Sequence, residues 1–207
     1  MKNKFILSVI VPVWNQEILL KRALESIPIR HDIEVLIIDD GSTDGTQSTI
    51  KAYIDAHPDM RVRVFINEKN IGLGLTKNVG YDNAVGKYVH QLDSDDYVFT
   101  DIYNKIIDEY LKSDADVVYF DLIMTNGTIL HLCPETNRTW CGGSSRFIKR
   151  SFLGQHRCPD VRFAEDWFLN NELMDIPHSD YYTGLVGYYY NSPREGSNCD
   201  LHAKGLI

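Results

Sequence analysis

Two short, nearly continuous apolar runs constrain this chain more than any other feature: Ser8-Val9-Ile10-Val11-Pro12-Val13 and Glu34-Val35-Leu36-Ile37-Ile38-Asp39. A strand with one face in water alternates apolar and polar residues, whereas a strand covered on both faces of a parallel sheet reads as an unbroken apolar run. Between the two, Glu17 to Ile27 places Ile18, Leu19, Arg22, Ala23 and Ser26 at helical spacing, with Leu20, Leu24 and Ile27 adding an apolar stripe. Parallel neighbours need a crossover of about a dozen residues or more, usually a helix, so residues 8–39 read as a βαβ unit.

The pattern then repeats. Ser42-Thr43-Asp44 can cap a helix over Thr46 to Ala56, Val62 to Ile66 reads as a third strand, Thr76 to Val85 as a third helix stopped by Gly86, and Tyr88 to Leu92 as a fourth strand. Beyond residue 100 the character changes: a helix over Ile102 to Lys112, a strand over Asp116 to Leu122, and a hairpin turn at Asn126-Gly127. A helix over Glu165 to Met174 and an aromatic strand over Tyr181 to Tyr190 follow a weakly periodic stretch from Cys133 to Pro159. No repeat or linker divides the 207 residues, so we read one α/β domain.

Composition excludes some functions. The net charge of −8, with no Lys/Arg run, disfavours a protein that holds nucleic acid by neutralising phosphates. The apolar start, Phe5 to Val13, is interrupted by Pro12 and Asn15-Gln16-Glu17 and reads as a buried strand, not a leader. No stretch approaches the roughly 20 apolar residues that span a bilayer. Cys133, Cys141, Cys158 and Cys199 form no Cys-x-x-Cys pair, which fits reduced thiols and a cytoplasmic chain.

The fourth strand ends in Gln91-Leu92-Asp93-Ser94-Asp95-Asp96, three carboxylates within four residues. Oxygens so crowded repel one another unless a cation neutralises them, and ligands of open α/β sheets bind at this carboxyl edge. A plain strand-to-helix turn uses the same residue types. Gly72-Leu73-Gly74 is not a dinucleotide fingerprint, because the third glycine of Gly-x-Gly-x-x-Gly would fall at Lys77.

Six segments occur in a fixed order: Val11-Pro12-Val13-Trp14-Asn15, Ile38-Asp39-Asp40-Gly41-Ser42-Thr43-Asp44-Gly45-Thr46, Asn70 to Gly80, Leu92-Asp93-Ser94-Asp95-Asp96, Phe163-Ala164-Glu165-Asp166-Trp167, and Tyr190-Asn191-Ser192-Pro193-Arg194-Glu195-Gly196-Ser197. Together they resemble the family 2 glycosyltransferases, inverting enzymes of GT-A fold, closely over residues 5 to 100. The resemblance implies a Rossmann-like, three-layer α/β fold with a mainly parallel, mixed central sheet. Residues 1–100 would form the nucleotide-sugar half and residues 101–207 the acceptor half.

It also implies the site. Asp95 would ligate Mn²⁺ or Mg²⁺, with Asp93 supporting the metal or contacting the nucleotide sugar. Pro12, Trp14, Asn15 and Glu17 would wall the nucleotide, Asp40 would accept a hydrogen bond from its base, and Gly72, Lys77, Ser94 and Arg194 would complete the donor site. Ser197 would join Arg194 over the diphosphate. Asp166 would be the general base, with Glu165 its helper or its rival. The sequence departs from the family at Trp14, where Tyr is commoner, and at Lys77, where Arg is usual and only the charge is kept. Asp96 and His202 receive no role.

The implied reaction moves a hexose or N-acetylhexosamine from a UDP-sugar to a hydroxyl of a surface-glycan or lipid-linked saccharide acceptor. Peripheral contact with the inner face of a membrane is compatible with it. A non-catalytic nucleotide-sugar sensor is the different-class rival, and a sugar nucleotidyltransferase is disfavoured because Pro12 to Glu17 lacks a Gly- and Arg/Lys-rich triphosphate loop.

Overall fold

A computed structural model describes residues 5–135, 143–192, 194, 195, 197, 200, 201, 204 and 205. The first βαβ unit consists of β1 (Leu7–Val13), α1 (Glu17–Ser26) and β2 (Ile33–Asp39). Every residue of both strands is buried, and they pair in parallel from Leu7 with Ile33 to Val13 with Asp39. Successive side chains serve opposite faces. Val9, Val11, Val35 and Ile37 share a core with Leu20 and Leu24 of α1 and with Ile50 and Tyr53 of α2 (Thr46–Ala56). Ile10, Leu36 and Ile38 share a second core with Tyr81 of α3 (Leu73–Asn83) and with Leu169 and Leu173 of α6 (Glu165–Met174). Three layers result, as the unbroken apolar runs require.

The polar residues inside those runs are themselves paired. Ser8 and Glu34 stand opposite in the β1–β2 register, and the fully buried Glu34 accepts the Ser8 hydroxyl at 2.6 Å and the Val85 N–H at 2.7 Å. Capture of Val85 helps to explain why α3 stops at Asn83, two residues short of the expected end. Its start also differs from the expected Thr76. Gly72, at φ 96°, breaks the chain, and its carbonyl then accepts the Thr76 N–H and hydroxyl at 3.0 and 2.9 Å, which admits three earlier residues to the helix.

β3 (Arg61–Ile66) and β4 (Tyr88–Gln91) complete a parallel half-sheet in the order β3-β2-β1-β4. Beyond it lie β5 (Tyr97–Val98), α4 (Thr100–Lys105), β6 (Val117–Met124), β7 (Ile129–Leu130), β8 (Arg146–Lys149), α5 (Arg150–Leu153), α6 and β9 (Asp180–Tyr190). The helix expected over 102–112 is α4 followed by a widened turn over 106–110 and a tight one over 111–113. The hairpin turn falls where expected, with Gly127 at φ 83°. β5 and β8 were not expected, the first because it has two residues, the second because its Arg146 is buried where a polar residue reads as surface.

β8 runs antiparallel to β4 and β6, and β9 runs parallel to β6, so the sheet continues as β4-β8-β6-β9-β5. Phe120, Phe147 and Tyr188 from this half join the same core as Leu7 and Val9, so both halves fold around one sheet. Cys158 is a free thiol. Cys141 and Cys199 lie outside the described residues.

Candidate active site

Because β2, β1 and β4 are parallel neighbours, the loops that follow them open at one edge, beneath a cleft of about 1160 Å³. Pro12 lines it from the end of β1, and Trp14 and Asn15 from the loop that follows. Trp14 is 52% exposed, which makes it a wall of the cleft and not core packing. Asn15, at φ 50°, donates its N–H to Ser42 Oγ at 2.9 Å and accepts the Thr43 N–H at 2.8 Å, bracing the β1 and β2 loops together. Glu17, expected at the nucleotide, stands outside the cleft lining. Its carboxylate accepts the Gly45 N–H at 3.3 Å and so braces the same pair of loops from behind.

Asp40 lines the cleft although it is only 3% exposed. It accepts Asn67 Nδ2 at 2.8 Å, the Ile71 N–H at 2.9 Å and the Gly72 N–H at 3.0 Å, while the Thr46 N–H at the start of α2 goes to Asp44. A carboxylate has about four acceptor sites, so Asp40 has capacity for one further donor. Gly72, on the same wall, is shaped by this bond.

The acid cluster divides into two kinds of residue. Asp96 is buried, accepts the Tyr188 hydroxyl at 2.6 Å and the Asn191 N–H at 2.8 Å, and thereby fastens the end of β9 to the end of β4. Burial, with the charges of Asp93 and Asp95, pushes its carboxyl well above the ordinary range. Asp93, Ser94 and Asp95 face the cleft. Burial and the nearby Asp95 push the Asp93 carboxyl up to about 6, against the pull of Lys77 and a 2.8 Å bond from Gln91 Nε2.

Asp95 is gripped from both ends. Its carbonyl accepts Arg22 Nη2 at 2.6 Å, with that guanidinium 4.8 Å from the Tyr97 ring centroid. Its side-chain Oδ2 accepts Arg194 Nε at 3.0 Å and Nη2 at 2.8 Å. Arg22 is a residue that sequence reasoning read only as part of a helical stripe. The signal was there, a lone cation on the line of Ile18, Leu19 and Ala23.

On the opposite side, α6 begins after Ala164 at φ 62°, and its first turn carries Glu165 and Asp166. Glu165 forms an ion pair with Lys77 of α3, with side chains 6% and 2% exposed. Burial opposes the Lys77 charge, but Glu165, Asp93 and Asp166 outweigh it and hold the ammonium above its usual range. Lys77 therefore borders the cleft while bonded to Glu165. Asp166 is the more accessible acid of the two, accepting the Gly143 N–H at 3.4 Å and the Trp167 N–H at 2.9 Å.

Ser197 also lines the cleft, whereas Pro193, Gly196, Asn198 and His202 lie outside the described residues. Among the described residues no three His, Cys, Asp or Glu side chains converge to hold a cation unaided. Asp93 and Asp95 supply two carboxylates to one cleft, which fits Mg²⁺ or Mn²⁺ held by one or two carboxylates plus substrate phosphates. No helix among the described residues is long and apolar enough to cross a membrane.

The sequence profile described as glycosyl transferase family 2 matches residues 8–164. Glycosyltransferase GlyA of Streptococcus pneumoniae serotype 4 is 34% identical over 92% of this chain and 31% of its own length. The GalNAc(5)-diNAcBac-PP-undecaprenol beta-1,3-glucosyltransferase of Campylobacter jejuni is 32% identical over 71% of this chain and 47% of its own. The crystal structure of S. aureus TarS 1-349 in complex with UDP-GlcNAc superposes with a TM-score of 0.81 at 23% identity, covering 93% of this chain and 60% of that one. The chain thus spans between about a third and three fifths of the proteins it matches here. With its mixed α/β sheet and its ordered motifs converging on one cleft, it has the GT-A fold and belongs to glycosyltransferase family 2.

Proposed function

We propose that this chain is a metal-dependent, inverting glycosyltransferase that moves a hexose or N-acetylhexosamine from a UDP-sugar to a hydroxyl of a surface-glycan or lipid-linked saccharide, at the cytoplasmic side of the membrane. The observation that carries the reading is the placement of Asp93 and Asp95, after β4, and Asp166, on α6, around one cleft. UDP as the nucleotide is supported by the TarS complex and the lipid-linked acceptor by the Campylobacter relative's name. Residues 1–100 act as the donor half and residues 101–207 as the acceptor half.

In this mechanism Asp166 takes the proton of the acceptor hydroxyl as its oxygen attacks the anomeric carbon from the face opposite the leaving group. The bond from that carbon to the diphosphate oxygen breaks, and the diphosphate leaves with the electron pair. Asp95 and Asp93 would hold the divalent cation, which would offset the charge growing on the diphosphate. Asp40 accepts a donor from the base, and Trp14 offers its exposed ring as a stacking wall.

Calorimetric titration of UDP with Mn²⁺ tests the metal assignment: Asp95→Ala abolishes metal-dependent binding while the fold persists, and unchanged binding would reject it. Asp166→Asn keeps donor binding and lowers turnover by about 10²–10⁴. Near-normal turnover would remove Asp166 from its role.

A further inference from the structure

We infer that Arg194 and the divalent cation exchange on a single carboxylate, that of Asp95, so that the site takes up the cation with the diphosphate far better than it takes up the bare ion. This rests on the reading that Asp95 is the cation ligand. Two nitrogens of Arg194 bond to the same oxygen, Oδ2, at 3.0 and 2.8 Å, so the pair is not the two-oxygen fork of the strongest Arg–carboxylate contacts. The partners are 28% and 22% exposed, which keeps the contact in the range that other ions can displace.

The surroundings fix Asp95 while leaving its partner free to change. Arg22 holds the Asp95 carbonyl, and the neighbouring Asp96 is bonded to Tyr188 and Asn191. Asn191 also tethers Arg194, three residues further along. An extended chain of that length reaches about 10 Å, so a displaced guanidinium stays beside the acids. Among the described residues Lys77 is bonded to Glu165, and Arg194 is the cation bonded to the Asp95 side chain.

A dication arriving alone must compete with Arg194 for the charge of the Asp95 carboxylate and sit beside that guanidinium with no new anion to receive it. A dication arriving with a diphosphate brings that anion, and Arg recognises phosphate oxygens well. Cation and nucleotide are therefore positively coupled through Arg194, and by linkage the coupling is reciprocal.

The test is binding of Mn²⁺ alone, read from the paramagnetic resonance signal of the free ion, and binding of Mn²⁺ at saturating UDP. Arg194→Gln is expected to bind bare Mn²⁺ about two- to fivefold more tightly than the unmodified chain, the size of a partly exposed ion pair that no longer competes. The same variant loses much of the enhancement that UDP gives to Mn²⁺ binding. Bare Mn²⁺ binding that is unchanged or weaker in Arg194→Gln overturns the exchange, provided Asp95→Asn abolishes that binding. If Asp95→Asn leaves Mn²⁺ binding intact, the cation lies elsewhere and the underlying reading falls with it. Arg194→Met, which keeps the stem but cannot donate, is expected to show the same sign, and an opposite sign also overturns the exchange.

Discussion

Replacing Glu165 by Gln isolates the buried pair that joins the two halves of the cleft. Lys77 on α3 and Glu165 at the start of α6 are 2% and 6% exposed, and Gly74 lets the helices meet so closely that a Cβ there would stand 3.0 Å from Glu165 Cβ. Removing one member of such a pair leaves an uncompensated buried charge, typically a loss of about 3–5 kcal/mol. The upper end is set by Lys77 itself: an ordinary lysine gives up its proton at pH 7 for about 5 kcal/mol, so no larger penalty can persist. Against a total stability on the order of 5–15 kcal/mol, the loss is large. Urea unfolding followed by far-ultraviolet dichroism measures it, and with a slope of roughly 2–3 kcal/mol per molar the midpoint falls by about 1–2.5 M. The double variant Lys77→Met with Glu165→Met, which removes both charges, recovers most of this loss, giving a large coupling in the mutant cycle. A Glu165→Gln midpoint within about 0.3 M of the unmodified chain would refute the idea that Glu165 compensates Lys77.

Two further perturbations test the packing beneath the site. His90 lies between Ser144 and Tyr103, donating Nε2–H to the Ser144 carbonyl at 2.7 Å and accepting the Tyr103 hydroxyl at Nδ1 at 2.6 Å, and burial lowers it to about 4. The unfolded chain therefore binds the extra proton between the two pKa values: the stability is present above about 6.5 and is lost as the pH falls towards 4, roughly 2 kcal/mol of it between pH 7 and pH 5. Urea midpoints at those two pH values should show this component in the unmodified chain and not in His90→Phe, and equal pH slopes in both would reject it. Gly80→Ala should destabilise despite the better helix propensity of Ala, because the new Cβ overlaps Ile10 Cγ2 and lies 3.1 Å from Ile38 Cδ1. The expected cost is about 1–3 kcal/mol of overpacking, set against roughly 1 kcal/mol of propensity, and a raised melting temperature would show that α3 can move away from the sheet.

The sequence announced the parallel half of the fold because burial on both faces of a strand leaves an unmistakable run of apolar residues. Even the interruptions were informative, since Ser8 and Glu34 turn out to be each other's partners. The antiparallel half was less legible for a physical reason. A strand such as β8 is recognised by a polar face that is exposed, and in β8 the polar residue Arg146 is 1% exposed and bonded to Asn170 of α6. Burying a charged residue in a strand erases the alternation that reveals strands. The boundaries of α3 were hidden likewise, because they are set by Asp40 at Gly72 and by Glu34 at Val85, contacts from 32 and 51 residues away.

The site divides along the same line. The crowd of carboxylates after β4 brought Asp93 and Asp95 into view, because it is costly without a purpose, whereas Asp40 and Asp166 came into view only through the resemblance of their segments to the family. What holds each acid in place was not legible, because that is decided by partners distant in sequence. Asp96 is adjacent to Asp95 and chemically identical to it, yet Tyr188 and Asn191 make it a fastening between β4 and β9, while Arg22 and Arg194 present Asp95 to the cleft. Glu165 and Asp166 both border the cleft, but Lys77 claims the first and the second is the more accessible. In both pairs one acid is consumed by bonds to a distant element, which hold its neighbour in place. Replacing the holding acid should therefore damage the site almost as much as replacing the presented one, though through stability and position and not through lost chemistry.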